Sequence, residues 1–339
     1  MSIQACLAQK VYVQFEPIKM KNRTVQLNKI IAPLLFLGLI PATSQAYQLE
    51  IGGFYKSKKY EPVLDSDDDY YADYTLIDLT ETETGLQGRY FFNDVNQDLG
   101  PLGEAVILNR ANFIDFTLAK VKYEDSYDNS GYNDSYSGER IGLGFRASPN
   151  QTMVIQGGIE QFSIGGVDAL SVDFGFGGYV SDTGLIIVSL EHKKEELGNF
   201  GENTLTGLVL DSHLFFPSFD PDKGWAFDID LGFYSGERDD YDLTEVTAGL
   251  IANYYITKRF SIGVGFTGKS NLIEYSSSEE TIVEAQLLAN AQFFITPQVA
   301  LDFTIGSGGV QYEVEDDYYY DDDNKEDVFS MGLSLTANF

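Results

Sequence analysis

Hydrophobic and polar residues alternate with a period of two along many segments of this chain. From Phe329 to Phe339, apolar side chains occupy the odd positions, while serine, glycine, threonine and asparagine occupy the even ones. Similar alternation surrounds Phe227, Val264 and Phe303. Successive side chains of a β-strand point to opposite faces. The pattern therefore predicts many strands, each with one apolar face and one small or polar face.

Acidic residues stand at mid-strand positions on the polar faces of several of these segments. A carboxylate that is buried without a partner in a dry core costs several kcal/mol. In a water-filled interior the same carboxylate stays solvated, so the pattern favours strands with lipid on one side and water on the other. This arrangement is typical of an outer-membrane β-barrel. The acids that we expect on the pore wall are Asp173, Asp228, Asp230, Glu245, Glu284 and Asp302.

Short turns alternate with longer polar stretches between the predicted strands. Residues 148–151, 257–259 and 296–298 are short, whereas residues 61–82 and 313–327 are two of the longer stretches. Outer-membrane barrels have short periplasmic turns and longer external loops. We therefore expect both chain termini on the periplasmic side, which requires an even number of strands. The segmentation predicts one all-β transmembrane barrel of about 14 strands, with about 16 as the alternative.

Residues 1–46 have the features of an export signal. A basic stretch that ends at Lys29 precedes an apolar run of eleven residues, Ile30–Ile40, and small residues follow up to Ala46. This order is typical of a secretory signal peptide. The apolar run is too short to span a bilayer as a helix, which needs about 20 residues. We predict that residues 1–46, a signal peptide with an upstream extension, are removed, and that residues 47–339 form a single barrel.

The chain is strongly acidic, with a formal net charge of −30 at pH 7. Residues 1–46 hold five Lys or Arg residues and one Glu, so 17 basic and 51 acidic residues remain beyond them, a formal charge of −34. A chain without a basic surface does not release counterions from nucleic acid, which excludes nucleic acid as a partner. The only cysteine, Cys6, precedes the predicted cleavage position, so the exported part forms no disulfide.

A stretch of about 20 residues resembles a motif of a family of proteobacterial porins, which are outer-membrane β-barrels. It comprises Arg89-Tyr-Phe-Phe-Asn-Asp-Val95 and Gly100-Pro-Leu-Gly-Glu-Ala-Val-Ile-Leu-Asn-Arg110. Members of that family typically show Tyr-Tyr-Phe-x-x-Val and then Gly-Pro-Leu-Ala-Glu-Ala-Ala-Phe-Leu-x-Arg. This chain keeps most of the second part but has Gly103 in place of the usual alanine. The resemblance implies an outer-membrane pore and carries over no catalytic or binding residue.

Residues 104–110 of this stretch have two interpretations. Glu104 and Leu108 would share one face of a short helix at the periplasmic mouth, because residues four apart lie above one another. This helix, with Glu104 and Arg110, is then a constriction or plug element. The alternative is a packed structural turn, and the sequence leaves both open.

Two acidic clusters, residues 65–71 and 315–323, are candidates for calcium binding, because calcium takes six to eight oxygen ligands. An EF-hand loop needs glycine at its sixth position and glutamate at its twelfth, where this chain has Tyr70 and Leu76. We therefore predict solvated, electronegative loops at the outer entrance. Divalent bridging to anionic lipid is the alternative, and we predict no defined metal site and no cofactor.

The two histidines, His192 and His213, are weak candidates for catalysis. Asp211 and His213 share one face of a predicted strand, but Ser212 lies on the opposite face, so no nucleophile joins them. We predict no catalytic residue and no enzyme activity, with His213 facing the lumen.

Aromatic residues cluster near the ends of the predicted strands. Aromatic side chains collect in girdles at the two membrane interfaces of a barrel. We therefore assign Tyr47, Tyr55, Tyr254, Tyr255 and Phe339 to girdles. The terminal Phe339 is in addition the predicted signal for barrel assembly.

The predicted function is passive diffusion of small hydrophilic solutes through a water-filled pore that prefers cations. The alternative is a non-conducting surface barrel that acts as an adhesin or structural protein. Glycine and serine at lumen positions favour the pore, whereas interlocked Arg–Glu clusters would favour the closed barrel. The expected partners are outer-membrane lipid and lipopolysaccharide, the barrel assembly machinery and the solutes, with a homotrimer left open.

Overall fold

The computed structural model describes residues 46–62, 77–127, 133–150, 152–196, 201–238, 241–275, 278–316 and 324–339. Within these residues the chain forms fourteen antiparallel strands, each paired with its neighbours in sequence. The first strand also pairs with the last, so the sheet closes on itself as a barrel. The prediction of one barrel with fourteen strands is confirmed, and the alternative with more strands is wrong.

The strands differ in length, and one of the connections between them contains a short helix. The strands are β1 (Ala46–Pro62), β2 (Ile77–Asn96), β3 (Phe113–Tyr127), β4 (Asn133–Ala147), β5 (Met153–Ile164), β6 (Val167–Ser181), β7 (Gly184–Glu196), β8 (Glu202–Pro217), β9 (Gly224–Arg238), β10 (Tyr241–Thr257), β11 (Phe260–Glu274), β12 (Ser278–Thr296), β13 (Val299–Asp316) and β14 (Asn324–Asn338). Between β2 and β3 lie a 3-10 turn, Leu102–Glu104, and a short helix, α1 (Ala105–Leu108). In the described part of the chain, no helix is long and apolar enough to cross a membrane.

The two ends of the barrel differ. One end, here called the turn end, carries Ala46, Phe339 and short connections such as residues 258–259. Phe339 completes the ring there, because its amide donates to the carbonyl of Leu49 at 2.7 Å. The opposite end is called the loop end. Residues 65–71 and most of 315–323, the predicted acidic clusters, lie outside the described residues, as does the predicted signal peptide up to residue 45.

The outward face of the barrel is apolar along the turn-end part of the strands. The exposed side chains of β3 include Ile114, Phe116 and Leu118, and Leu287 of β12 is 69% exposed. Such side chains form the lipid-facing band of a membrane barrel. The exposed apolar residues of β14 occupy the predicted odd positions and are Phe329, Met331 and Leu333.

Near the loop end the two faces exchange character. On β3 the outward side chains become Lys120 and Lys122, while Val121 and Tyr123 point inward and are buried. Both inward residues belong to an apolar cluster with β5, and comparable clusters lie inside β12–β14 and inside β8–β11. This differs from the predicted lumen, which is polar along each strand. The strands extend beyond the lipid-facing band, so their outer face is polar there and apolar side chains pack inside.

Candidate functional site

Residues 97–112, here called the crossing segment, extend across the turn end of the barrel. Leu102 packs against apolar side chains of β12 and β13. Ile107 packs against β5 and β7, and Leu108 packs against β8, β9 and β10. A segment that reaches opposite sides of a closed ring must cross its interior. These buried contacts remove apolar surface from water and hold the segment in the mouth.

Polar contacts fix the crossing segment to four of the turns. The donor–acceptor pairs are the Leu102 amide to the Lys258 carbonyl (2.9 Å), Gln97 Nε2 to the Pro297 carbonyl (2.7 Å), the Ser148 amide to Asn112 Oδ1 (2.5 Å) and the Arg110 guanidinium to the Asp182 carboxylate (2.8 Å). Their partners lie in the β10–β11, β12–β13, β4–β5 and β6–β7 connections. The segment is therefore attached to several points around the ring.

Glu104 is the central polar residue of the crossing segment and is only 2% exposed. Its Oε1 accepts a hydrogen bond from the Tyr255 hydroxyl at 2.7 Å, and its Oε2 lies 2.5 Å from His213 Nε2. The other ring nitrogen of His213, Nδ1, lies 2.6 Å from Asp228 Oδ1. We call these four residues the latch. A buried carboxylate needs such partners, and an imidazolium is the form of histidine that can donate to both carboxylates at once.

Gly103 permits the close approach of the latch. A Cβ atom at this position would collide with the Tyr255 hydroxyl oxygen and with Gln292 Oε1. Glycine therefore lets the crossing segment lie directly against β10 and β12. At this position the porin motif that the chain resembles usually has alanine.

The candidate mouth residues Glu104 and Arg110 lie in the same segment but contact different strands of the barrel. Glu104 meets β8, β9 and β10 through the latch. The Arg110 guanidinium pairs with Asp182 and lies 4.9 Å from the ring centroid of Tyr179. The structure does not bring the two side chains together.

The six acids predicted for the pore wall are distributed along the lumen, so they do not form one ring. Asp228 belongs to the latch, and Asp230 is the register partner of Asp211 on β8. Asp302 accepts hydrogen bonds from Gln292 at 2.8 Å and from Ser334 at 2.9 Å. Of the six predicted acids, Asp173 and Glu245 line a cavity nearer the loop end.

Basic side chains pair with the inward acids of the loop-end half. Glu245 is contacted by Lys193 at 3.2 Å and by Lys269 at 2.5 Å, and Lys58 pairs with Glu284. Further pairs there are Lys56–Glu83, Arg140–Glu83 and Arg140–Glu160, and Arg89 pairs with Glu50 nearer the turn end. Alternation predicts the inward acids but not these partners, which lie on other strands. Interlocked pairs and small lumen residues are thus both present.

Two cavities occupy the lumen above the crossing segment. The central cavity, about 660 Å³, touches the crossing segment. Its lining includes Ile107, Leu185, Ile187, Asp211, Asp230 and Ile251. The loop-side cavity, about 460 Å³, is lined by both acidic and basic side chains, among them Asp173, Glu191, Lys193, Glu245 and Lys269. Acidic side chains outnumber basic ones in the lining of both cavities.

Two tyrosines predicted for the girdles lie inside the barrel. Tyr47 and Tyr255 are each 5% exposed. Tyr255 packs on Phe215 and supplies its hydroxyl to the latch, whereas its neighbour Tyr254 contacts the outward Trp225, with ring centroids 5.0 Å apart. The girdle assignment is therefore wrong for Tyr47 and Tyr255, because their side chains face inward.

The histidines occupy different environments. His192 is paired with Thr206 Oγ1 at 2.9 Å near the loop end, and His213 lies in the latch. The His213 imidazole contacts the carboxylates of Glu104 and Asp228, and neither is a nucleophile of the serine or cysteine type. Among the residues that the structure describes, no group of three or more His, Cys, Asp or Glu side chains is placed to hold a metal ion.

A closed antiparallel barrel with an apolar outer band and a charged interior defines the class of outer-membrane β-barrels. The TodX monoaromatic hydrocarbon channel, in a deletion mutant, shares the fold with a TM-score of 0.52 and 9% identity over 91% of this chain and 94% of that one. The outer membrane protein Omp33 of Acinetobacter baumannii (TM-score 0.45, 15% identity, 87% and 99% covered) and the COG4313 outer membrane channel of Pseudomonas putida F1 (0.47, 9%, 88% and 100%) are also similar. No family model and no curated protein sequence matches the chain.

Proposed function

We propose that this barrel is an outer-membrane channel for small hydrophilic solutes, with a preference for cations. The observation that carries the proposal is the central cavity, where Asp211, Asp228 and Asp230 face the lumen and the described basic lining is Arg146 and His213. Fixed negative charges within low-dielectric walls raise the local concentration of cations and repel anions. Rings and clusters of acidic side chains are also the usual basis of cation selectivity.

The proposed orientation places the turn end in the periplasm and the loop end outside the cell. Short turns and long loops are distributed in this way in outer-membrane barrels. The lipid-facing band then contacts membrane lipid, with lipopolysaccharide on the outer side. Phe339 is the proposed recognition residue for the assembly machinery, consistent with its place at the closing pair of β1 and β14. A homotrimer stays a prediction.

The crossing segment is the proposed constriction of the periplasmic mouth. Its attachment to four turns and to the latch supports this interpretation over a turn that packs beside the mouth. Passage through the turn end then depends on gaps beside the segment or on its displacement. We therefore expect a small unitary conductance.

Single-channel recording of the refolded protein in planar bilayers tests the proposal. We expect discrete current steps and, in a salt gradient, a reversal potential of the sign that marks cation preference. The absence of steps would overturn the channel function. An anion-selective reversal potential would overturn the cation preference alone.

A non-conducting surface barrel is the second candidate function. The interlocked pairs, such as Lys58 with Glu284 and Arg140 with Glu83, together with the crossing segment, favour it. In that case neither the wild type nor a variant with a released crossing segment conducts. Binding of the intact cells to surfaces would then decline when the loops are shortened.

A further inference from the structure

We propose that the central cavity is a binding site for small amphipathic organic cations, of the alkylammonium or arylalkylammonium class. The inference rests on the proposed function, since it names a solute class for the same lumen. The cavity volume of about 660 Å³ falls within the range of small-molecule sites, roughly 300–1,000 Å³. Its lining combines an acidic pair with flanking apolar side chains, and this combination defines the ligand.

Apolar side chains flank the acids of the cavity. Leu185 and Ile187 lie on β7, Ile251 lies on β10, and Ile107 is added by the crossing segment. Leu185 and Ile187 form a packed cluster with Val154, to which Ile107 adds its side chain. These side chains provide an apolar surface for a hydrocarbon body. Each methylene buried there would raise affinity about fourfold.

Two adjacent carboxylates lie on β8 and β9, between the apolar side chains of β7 and β10. Asp211 and Asp230 are direct register partners on β8 and β9, so their side chains lie on the same face of the sheet. Like charges in this position repel each other. Gln156 donates a long hydrogen bond of 3.3 Å to Asp211. Arg146 also lines the cavity, but its guanidinium donates to Gln156 Oε1 at 3.1 Å. Among the described side chains, no Lys or Arg forms an ion pair with Asp211 or Asp230, whereas lysines pair with Glu245 and Glu284. A cation placed between Asp211 and Asp230 would relieve their repulsion.

An organic ammonium fits this combination better than a metal ion. Calcium requires six to eight oxygen ligands, and among the described residues no group of three or more His, Cys, Asp or Glu side chains is placed to hold a metal ion. An ammonium group has donors for both carboxylates and for the hydroxyls of Thr247 and Thr267, which also line the cavity. Its hydrocarbon part then faces Ile107 and Ile187.

The test uses single-channel recording of the full barrel with three probes added on the loop side. Phenethylammonium has charge and an apolar body, methylammonium lacks the body, and 2-phenylethanol lacks the charge. We expect phenethylammonium to interrupt the potassium current at concentrations at least tenfold lower than either control probe. Asp211→Asn with Asp230→Asn, and separately Ile187→Ser, should each raise the half-blocking concentration at least tenfold.

The matched control is Glu139→Gln, which removes an exposed outward charge at the loop end and should leave block unchanged. Current steps without selective block by phenethylammonium would overturn this inference while the channel function stands. If no steps occur, the channel function fails, and calorimetry of the detergent-solubilised barrel decides the inference separately. Heat of phenethylammonium binding that Asp211→Asn with Asp230→Asn abolishes would support it, and no binding heat would overturn it.

Discussion

Replacing Glu104 with alanine removes the central residue of the latch and tests whether the crossing segment restricts passage. The carboxylate is buried and accepts hydrogen bonds from Tyr255 at 2.7 Å and His213 at 2.5 Å. A hydrogen bond to a charged group contributes about 1.5–3 kcal/mol. Loss of both therefore weakens the attachment of the segment by about 3–6 kcal/mol. The apolar contacts of Leu102 and Leu108 remain, so the segment loosens without losing all of its packing.

The lower value already has a large effect on the population of a displaced segment. Every 1.4 kcal/mol changes an equilibrium about tenfold, so 3 kcal/mol corresponds to about 150-fold. In planar bilayers we expect Glu104→Ala to show higher-conductance events about 100-fold more often than the wild type. Tyr255→Phe removes one of the two hydrogen bonds and should give an intermediate frequency.

The control variant is Asp98→Ala in the same segment. Asp98 pairs with Lys258 at 3.2 Å, and both side chains are partly exposed. Such a pair contributes about 0–1 kcal/mol, so the current should match the wild type. Heat-modifiable migration in gels confirms that each variant is folded. A folded Glu104→Ala barrel with wild-type currents would refute the assignment of the crossing segment as the constriction.

Three further changes test other parts of the barrel. Asp302→Asn should lower the ratio of potassium to chloride permeability in reversal-potential measurements, and an unchanged ratio would exclude Asp302 from the conducting path. The double variant Lys193→Ala with Lys269→Ala leaves the Glu245 carboxylate, only 6% exposed, without its two cations. Breaking a buried ion pair costs about 3–5 kcal/mol, so the unfolding temperature of the double variant should fall. Either single variant should lower the unfolding temperature less. Removal of Phe339 should reduce the folded barrel in the outer membrane of expressing cells, whereas equal amounts would show that assembly does not need it.

The alternation along the chain was sufficient to predict the strands, because the two faces of each strand meet different surroundings over the lipid-facing band. It could also have placed Tyr255 inside. Leu243, Glu245 and Thr247 are odd-numbered and face inward on β10, and Tyr255 has the same parity. The girdle interpretation considers only that Tyr255 lies near a strand end and takes no account of this parity.

Tyr47 could not have been placed by the same argument. The inward residues of β1, such as Phe54 and Tyr60, are even-numbered, whereas Tyr47 is odd and also buried. The register between β1 and β2 shifts between Tyr47 and Leu49, which reverses the parity of the residues before it. A bulge of this kind depends on the partner strand. The alternation within one strand carries no information about it.

The ion pairs and the latch were beyond prediction for a related reason. Lys58 and Glu284 are 226 residues apart, and Glu104 and Tyr255 are 151 apart. Alternation predicts which side chains face the lumen, but not their height along the barrel axis or their position around the ring. Both depend on the tilt and stagger of all strands. The porin resemblance drew attention to Glu104, yet its partners became visible only in the closed barrel.

The latch, the crossing segment and the central cavity share residues, so their equilibria are coupled. Ile107 belongs to the crossing segment and also to the apolar lining of the cavity, and Asp228 belongs to the latch and to the cavity lining. Displacement of the segment would remove Ile107 from the cavity and expose the acids to the periplasm. A cation bound against Ile107 therefore favours the attached segment, and by linkage the attached segment favours cation binding to the same degree. Cation binding in the central cavity and displacement of the crossing segment are therefore opposed, so an occupied cavity disfavours opening of the turn end.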